Sequence, residues 1–253
     1  PHFVAKAAAD KAAQIAPCIA CNQACLDHTF GGKISSCLVN PLACYETELP
    51  ITPTDTPKSI AIVGAGPAGL STAITAAQRG HSVTLFDKSD EVGGQLNMAK
   101  QIPGKEEFWG LVDWYRTMVD TLGITTKLGT TATPDMLKGF DEVIIATGVL
   151  PRDPAIPGQE GANVMDYIDV LRHKKPVGKS VAVVGAGGIG FDVSEFLSEE
   201  DGHSTTEHLP EWMREWGVAD PAEHRGGLNP DGPKPGHPAR AITLLQRKAE
   251  KHG

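Results

Sequence analysis

The sequence predicts an α/β fold built on parallel sheets, and three observations carry that expectation. The stretch SIAIVGAGPAGLSTA, beginning at Ser59, returns as SVAVVGAGGIGFDVS from Ser180. Each copy is a short apolar run, a glycine turn and a helical stretch, which sets a helix N-terminus beside a parallel strand. Further apolar runs, SVTLF, DEVIIATG and ITLLQ, alternate with helical segments. Four of the five cysteines precede all of this, in CIACNQACLDHTFGGKISSC at residues 18–37. The expected order is a helix, cysteine loop and linker over 1–57, a Rossmann-like unit over 58–160, and a second, partial one over 161–253.

With 253 residues the chain can hold one or two domains around a sizeable core. Its 23 Lys plus Arg against 31 Asp plus Glu leave a net charge of −8, which argues against nucleic acid or an anionic membrane as the main partner. No apolar run approaches the roughly 20 residues that cross a bilayer. No secretory signal pattern stands at the start, so a reducing, cytoplasmic setting is the expectation. The start at Pro1 and the end at Gly253, just after a strand-like run, read as cuts through a longer protein.

Taken in order, PHFVAKAAADKAAQIAP reads as an Ala-rich helix, and ELPITPTDTPK, with Pro50, Pro53 and Pro57, as a linker. Ser59–Val63 is a buried strand, 67–79 a helix, and Ser82–Phe86 a second strand. KEEFWGLVDWYRTMVDTLG is an amphipathic helix with Phe108, Leu111, Val112, Tyr115 and Val119 on one face. A short strand around ITTKL follows, then a helix in TPDMLKGF with Thr133 as N-cap and Pro134 at its first position. DEVIIATG is a further buried strand. The second unit opens with SVAVV and a helix through about Leu197. Residues 199–239 are polar and rich in Gly, Pro and His, with one helical piece at EWMREW, and form a functional excursion or a mobile one. ITLLQ is the delayed second strand.

The cysteine spacing is C-x2-C-x3-C-x11-C. Disulfides suit small secreted domains, which this chain does not resemble. Zinc usually takes two paired ligand sets, whereas three thiolates from one turn plus a distant fourth is how cubane iron–sulfur clusters are commonly held. The candidate ligands are Cys18, Cys21, Cys25 and Cys37; spacing alone leaves zinc open. Cys44 reads as an ordinary buried thiol.

Gly64-Ala-Gly66-Pro-Ala68-Gly69 follows a strand and opens a helix, the context a dinucleotide fingerprint requires. Gly64 permits the tight turn, Gly66 lets backbone approach a pyrophosphate, and Gly69 lets helix and strand pack closely. The helix N-terminus favours the phosphates. Asp87, followed by Lys88, ends the second strand, where a carboxylate accepts ribose hydroxyls and repels a 2′-phosphate. EVGGQL, with Gly94 and Gln95, and the strand-end pair Thr147 and Gly148 select FAD over NAD for this first site. The second turn, Gly185-Ala-Gly187-Gly188-Ile-Gly190, has Arg247 and Lys248 after its second strand, and cations there favour the 2′-phosphate of NADPH.

NADPH delivers a hydride, an iron–sulfur cluster carries single electrons, and a flavin exchanges both, so the combination converts two-electron to one-electron transfer. CIACNQACLD, GKISSCLVNPLAC, AKQIPGKEEF, GAGGIGFDV and LLQRKA together resemble bacterial NADPH-dependent 2,4-dienoyl-CoA reductases, over essentially the whole chain. The resemblance implies a two-dinucleotide flavoprotein fold and electron passage from NADPH through FAD and a 4Fe-4S cluster. The acceptor it implies is an FMN in a TIM barrel, where unsaturated acyl-CoA is reduced. Nothing in this sequence resembles such a barrel, which takes about 250 residues. By resemblance, Cys18, Cys21, Cys25 and Cys37 are cluster ligands. Gly64, Gly66, Gly69, Asp87, Gly94 and Gln95 belong to the FAD site, and Gly185, Gly187, Gly190 and Arg247 to the NADPH site. The expectation is an electron-entry module that holds FAD weakly alone and does not reduce acyl-CoA by itself. An amine dehydrogenase of similar architecture and a stand-alone electron-transfer subunit are the other readings. No H-E-x-x-H and no nucleophile motif stands out, so no catalytic residue is assigned; His203, His208, His224 and His237 read as solvated loop residues.

Overall fold

The structure is a computed structural model that describes residues 2–200 and 203–249. They form two compact units: the chain through Ala99 together with Glu107–Pro154, and Lys100–Glu106 together with the chain from Ala155.

The first unit begins with α1 (Phe3–Ala8) and α2 (Leu26–Phe30). The Ala-rich helix expected over the first seventeen residues is shorter than its composition suggests. It ends at Ala9, where Asp10 takes φ +55°, and only a single 3-10 turn, Ala12–Gln14, follows. No residue of α1 is buried, and a helix this short is marginal without packing. The α/β body follows as β1 (Ser59–Val63), α3 (Pro67–Gln78), β2 (Ser82–Phe86), α4 (Leu96–Ala99), α5 (Glu107–Thr121), β3 (Thr125–Lys127), α6 (Pro134–Leu137) and β4 (Glu142–Ile145). All pairings are parallel, in the order β3-β2-β1-β4.

The core lies between this sheet and α3 and α5. Ile62, Leu70 and Leu85 are wholly enclosed in it. Each such side chain contributes about 1.5–3 kcal/mol relative to exposure. The buried face of α5 is Leu111, Val112, Tyr115, Met118 and Val119, with Phe108 half-buried against the same core. Two expectations are corrected here. Strand β4 is largely exposed, because its outer edge has no partner among the described residues. Thr133 has the extended backbone of an N-cap, but its side chain makes no capping bond to the one-turn α6.

The second unit contains α7 (Tyr167–Leu171), β5 (Ser180–Val184), α8 (Gly188–Ser198), α9 (Leu209–Trp216) and β6 (Ala241–Leu245). Asp166 caps α7 by accepting from the Asp169 amide at 2.8 Å. β5 and β6 pair in parallel, so the strand after the long excursion sits where a βαβ unit places it. The described residues of the excursion include α9, two 3-10 turns and an antiparallel bridge between Val218 and Leu228. Gly217 ends α9 at φ +67°, and a Cβ there would lie 2.7 Å from the Pro233 nitrogen. The Lys100–Glu106 segment is tied to this unit by Lys105, which meets both carboxylate oxygens of Asp192 at 2.7 Å. Glu106 accepts from Ser204 and Thr206 at 2.5 and 2.6 Å.

Candidate functional site

The first glycine turn lies at the carboxyl ends of β1, β2 and β4, where strand order reverses and open α/β sheets take their ligands. Gly64 has φ +115°, and a Cβ on it would fall 2.2 Å from the Ala146 carbonyl oxygen. The turn and the strand end before Thr147 and Gly148 are therefore in direct backbone contact. A Cβ on Gly69 would lie 1.8 Å from the Gly64 oxygen, so α3 packs here only without a side chain. A Cβ on Gly66 meets nothing within 4 Å, leaving open space above the first turn of α3. That combination of a closed floor and an open rim fits a pyrophosphate on the helix N-terminus.

Asp87 does more than end β2. Its Oδ2 accepts from the Ala65 amide at 2.6 Å and its Oδ1 from the Ser89 amide at 2.7 Å. Each carboxylate oxygen keeps a further lone pair for a ribose hydroxyl. Gly93 and Gly94, at φ +117° and +55°, form a second wall. The Gly93 amide donates to the Ala65 carbonyl at 2.8 Å, and a Cβ on Gly94 would lie 2.9 Å from the Gly66 Cα. Gln95, Lys88, Ala68, Thr147 and Gly148 are exposed around this rim. Sequence reasoning passed over Asn97, a buried amide beneath the second wall; a polar residue inside an otherwise apolar helical turn was its signal.

The second turn repeats the first. Gly185 has φ +119°, and a Cβ on Gly190 would fall 1.7 Å from the Gly185 oxygen. Gly187 precedes Gly188 at the start of α8 with the same extended backbone that Gly66 has before α3. Gly185, Gly187 and Gly188 are exposed, and no Cβ built on them meets an atom within 4 Å. The Gly185 amide donates to the Leu245 carbonyl at 2.8 Å, which brings the end of β6 to the turn. Arg247 and Lys248 follow, both exposed. Register makes Gln246 the counterpart of Asp87, a position the sequence reading did not single out.

In the cysteine loop, Cys18 and Cys25 are exposed and Cys21 and Cys37 half-buried, all as free thiols. Ala20 and Asn22 turn the backbone at φ +52° and +57°, and the Ala20 amide donates to the Cys18 sulfur at 3.4 Å. The Ser36 amide donates to the Ala24 carbonyl at 2.6 Å, folding the fourth cysteine's segment back toward the third. Four sulfur donors on one loop suit iron chemically. Among the described residues no group of three or more His, Cys, Asp or Glu is drawn together to hold a metal ion. Loop closure and metal binding are coupled in such sites. Cys44, expected to be buried, is exposed at φ +64°, its amide donating to Glu46 at 3.2 Å. The Tyr45–Leu49 turn that follows leaves it on the surface.

In the second unit His203 is not a plain solvated residue. It is half-buried, pairs with Glu211 at 3.0 Å and stacks on His208 with ring centroids 4.9 Å apart. Near Lys105 and Asp192, Glu195 is held above the usual carboxylate range by burial and by Asp192, with Lys105 opposing. No helix among the described residues is long and apolar enough to cross a membrane.

The chain is 42% identical over 205 residues to a metal reductase of Desulforamulus reducens, covering 79% of this chain and 31% of that protein. It is 35% identical to a bilirubin reductase of Mediterraneibacter gnavus, again over 79% and 31% of the two chains. A cinnamate reductase of Clostridium sporogenes is 34% identical over 76% of this chain and 29% of its own. The chain thus spans about a third of the length of these relatives. Among solved structures, 2-naphthoyl-CoA reductase in complex with 2-naphthoyl-CoA superposes with a TM-score of 0.76 at 26% identity, over 97% of this chain and 42% of that one. A 6-hydroxypseudooxynicotine amine oxidase from Pseudomonas geniculata gives 0.65 at 28% identity, over 76% and 31%. Residues 58–221 match the family described as pyridine nucleotide-disulphide oxidoreductase, so the fold is an α/β flavin- and nicotinamide-nucleotide-binding one with parallel sheets, and the chain belongs to that oxidoreductase family.

Proposed function

We propose that this chain is the electron-entry module of a larger flavoprotein reductase acting on unsaturated acyl-CoA thioesters, of the 2,4-dienoyl-CoA reductase type. The observation that carries the reading is the pairing of two glycine turns of matching backbone geometry with different strand ends. Asp87 stands behind the first, while Gln246, Arg247 and Lys248 stand behind the second. The first turn, with Asp87 and the Gly93–Gly94 wall, would hold FAD; the second, with Arg247 and Lys248, NADPH. Cys18, Cys21, Cys25 and Cys37 would hold a 4Fe-4S cluster. Bound together, these groups supply conversion of a hydride into single electrons for an FMN site in a separate barrel domain.

The chain's own residues supply placement. Gly66 and Gly187 leave room for phosphates above α3 and α8, and Asp87 fixes the first turn while offering lone pairs to a ribose. The likeness to 2-naphthoyl-CoA reductase across 97% of the chain supports a parent protein that reduces an acyl-CoA. The test is NADPH-dependent loss of a conjugated dienoyl-CoA by the full-length parent polypeptide, read beside naphthoyl-CoA and secondary and tertiary amines. Turnover of the dienoyl-CoA is expected. Turnover of amines without any acyl-CoA activity would replace this reading with the dehydrogenase one.

A further inference from the structure

Only two polar side chains are buried among the described residues, Asn97 and Lys100. Burying an amide costs free energy unless its hydrogen bonds are remade, so a core position that keeps Asn instead of Leu is there for a specific bond. Asn97 lies on α4, four residues beyond Gly93, against the turn that faces the first glycine loop. Two successive residues at positive φ, Gly93 and Gly94, follow Val92 there. Asn97 Nδ2 donates to the Val92 carbonyl at 2.9 Å. Its amide plane also packs flat on Gly93: a Cβ there would lie 2.9 Å from Nδ2 and 3.0 Å from Oδ1. On the opposite side, Gly94 is pressed against Gly66, and the Gly93 amide is bonded to Ala65. Contacts therefore run from the Asn97 amide to Gly93, and from Gly94 to the phosphate-facing Gly66.

We propose that Asn97 is a positioning residue for the flavin site, holding the Val92–Gly94 turn in the shape that closes the cleft opposite Gly66. The inference rests on FAD occupying the first glycine loop. Without the Nδ2 bond the turn must be ordered when the ligand binds, and that ordering is subtracted from affinity. Val92 also belongs to the buried core of the first unit, so affinity and fold stability are read separately.

The experiment uses the full-length parent polypeptide, stripped of flavin and titrated with FAD by fluorescence, with thermal unfolding of the flavin-free form measured alongside. N97L and N97A remove the donor without burying a charge, and N97L keeps most of the side chain's size. Both are expected to weaken FAD binding about tenfold or more at a temperature where the flavin-free form is folded. The control is G66V, which places a side chain in open space at an ordinary φ of −79° and blocks the phosphate position. Undiminished FAD affinity in N97L and N97A, with G66V impaired, would overturn the role of Asn97 alone. A midpoint that drops while affinity holds would overturn it too, as a structural role. Undiminished affinity in G66V would instead sink the assignment of FAD to the first loop. Should N97L fail to fold, N97A, which neither adds volume nor buries a charge, carries the same test.

Discussion

Gln246 occupies in the second sheet the position that Asp87 holds in the first. Val184 pairs with Leu245 as Val63 pairs with Phe86, and each glycine turn donates its first amide to that strand end, at 2.8 and 2.7 Å. A carboxylate at this point repels a ribose 2′-phosphate, whereas a neutral amide followed by Arg247 does not. If the second turn holds NADPH, Q246D is expected to lower the NADPH-over-NADH ratio of kcat/KM about tenfold or more, and R247A to narrow it, in the full-length protein. An unchanged ratio in R247A would remove that residue from the site, and one in Q246D would show that the register equivalence has no bearing on cofactor choice.

The two close helix–strand contacts give a sharper structural test. Methyl groups at positions 69 and 190 would stand 1.8 and 1.7 Å from the carbonyl oxygens of Gly64 and Gly185, both backbone atoms. Backbone cannot move aside as a side chain can, so α3 or α8 must shift from its sheet. G69A and G190A are each expected to cost about 1–3 kcal/mol or more in unfolding free energy. G187A meets no atom within 4 Å at an ordinary φ of −93° and is expected to be nearly neutral for stability, read by denaturant unfolding of the same preparation.

The fold was legible in the apolar runs and glycine turns because both report backbone demands that only certain residues meet. β1, β2, α3 and α8 fall within about a residue of where the pattern puts them. What the sequence could not convey were properties set by partners distant along the chain. DEVIIATG has the composition of a central strand, yet β4 lies at an edge. Ala-rich composition promised a long first helix, but no apolar face was there to be buried. In the site, motif residues were visible while Asn97 and Gln246 were not, since one acts beneath a turn and the other only through strand register.

The excursion's anchor on Glu106 has a pH signature. Burial pushes this carboxyl up, but hydrogen bonds from Ser204, Thr206 and the Gly104 amide outweigh it and hold the pKa below the ordinary glutamate value. A depressed carboxylate stabilises the folded state above its unfolded pKa, and the contribution is lost as pH falls through the folded value. Glu195 and Glu199 have the opposite sign, because burial raises both. Their effect destabilises progressively as pH rises through the window above the ordinary value. E106Q is therefore expected to reduce the loss of stability on acidification, and E195Q to flatten the rise in instability on the neutral side. Unfolding midpoints measured across the acid range check both; parallel curves for E106Q and the parent would show the anchor to be energetically idle.

The last prediction concerns the five cysteines, of which Cys44 falls outside the C-x2-C-x3-C-x11-C run. Cys18, Cys21 and Cys25 lie on one tightly turned stretch, and Cys37 follows the backbone bond from Ser36 to Ala24. Cys44 sits apart, exposed in a left-handed turn stabilised by Glu46. If the first four hold a 4Fe-4S cluster, C25S and C37S should lose most iron and acid-labile sulfide from anaerobically prepared protein, since a serine hydroxyl is a poor thiolate substitute. C44S should retain both. Zinc in place of iron, without sulfide, would assign the loop to a structural metal, and iron loss in C44S would bring the fifth cysteine into the ligand set. The spacing favours three thiolates from one turn plus one returning strand of chain, and that asymmetry is what the comparison of Cys25, Cys37 and Cys44 reads out.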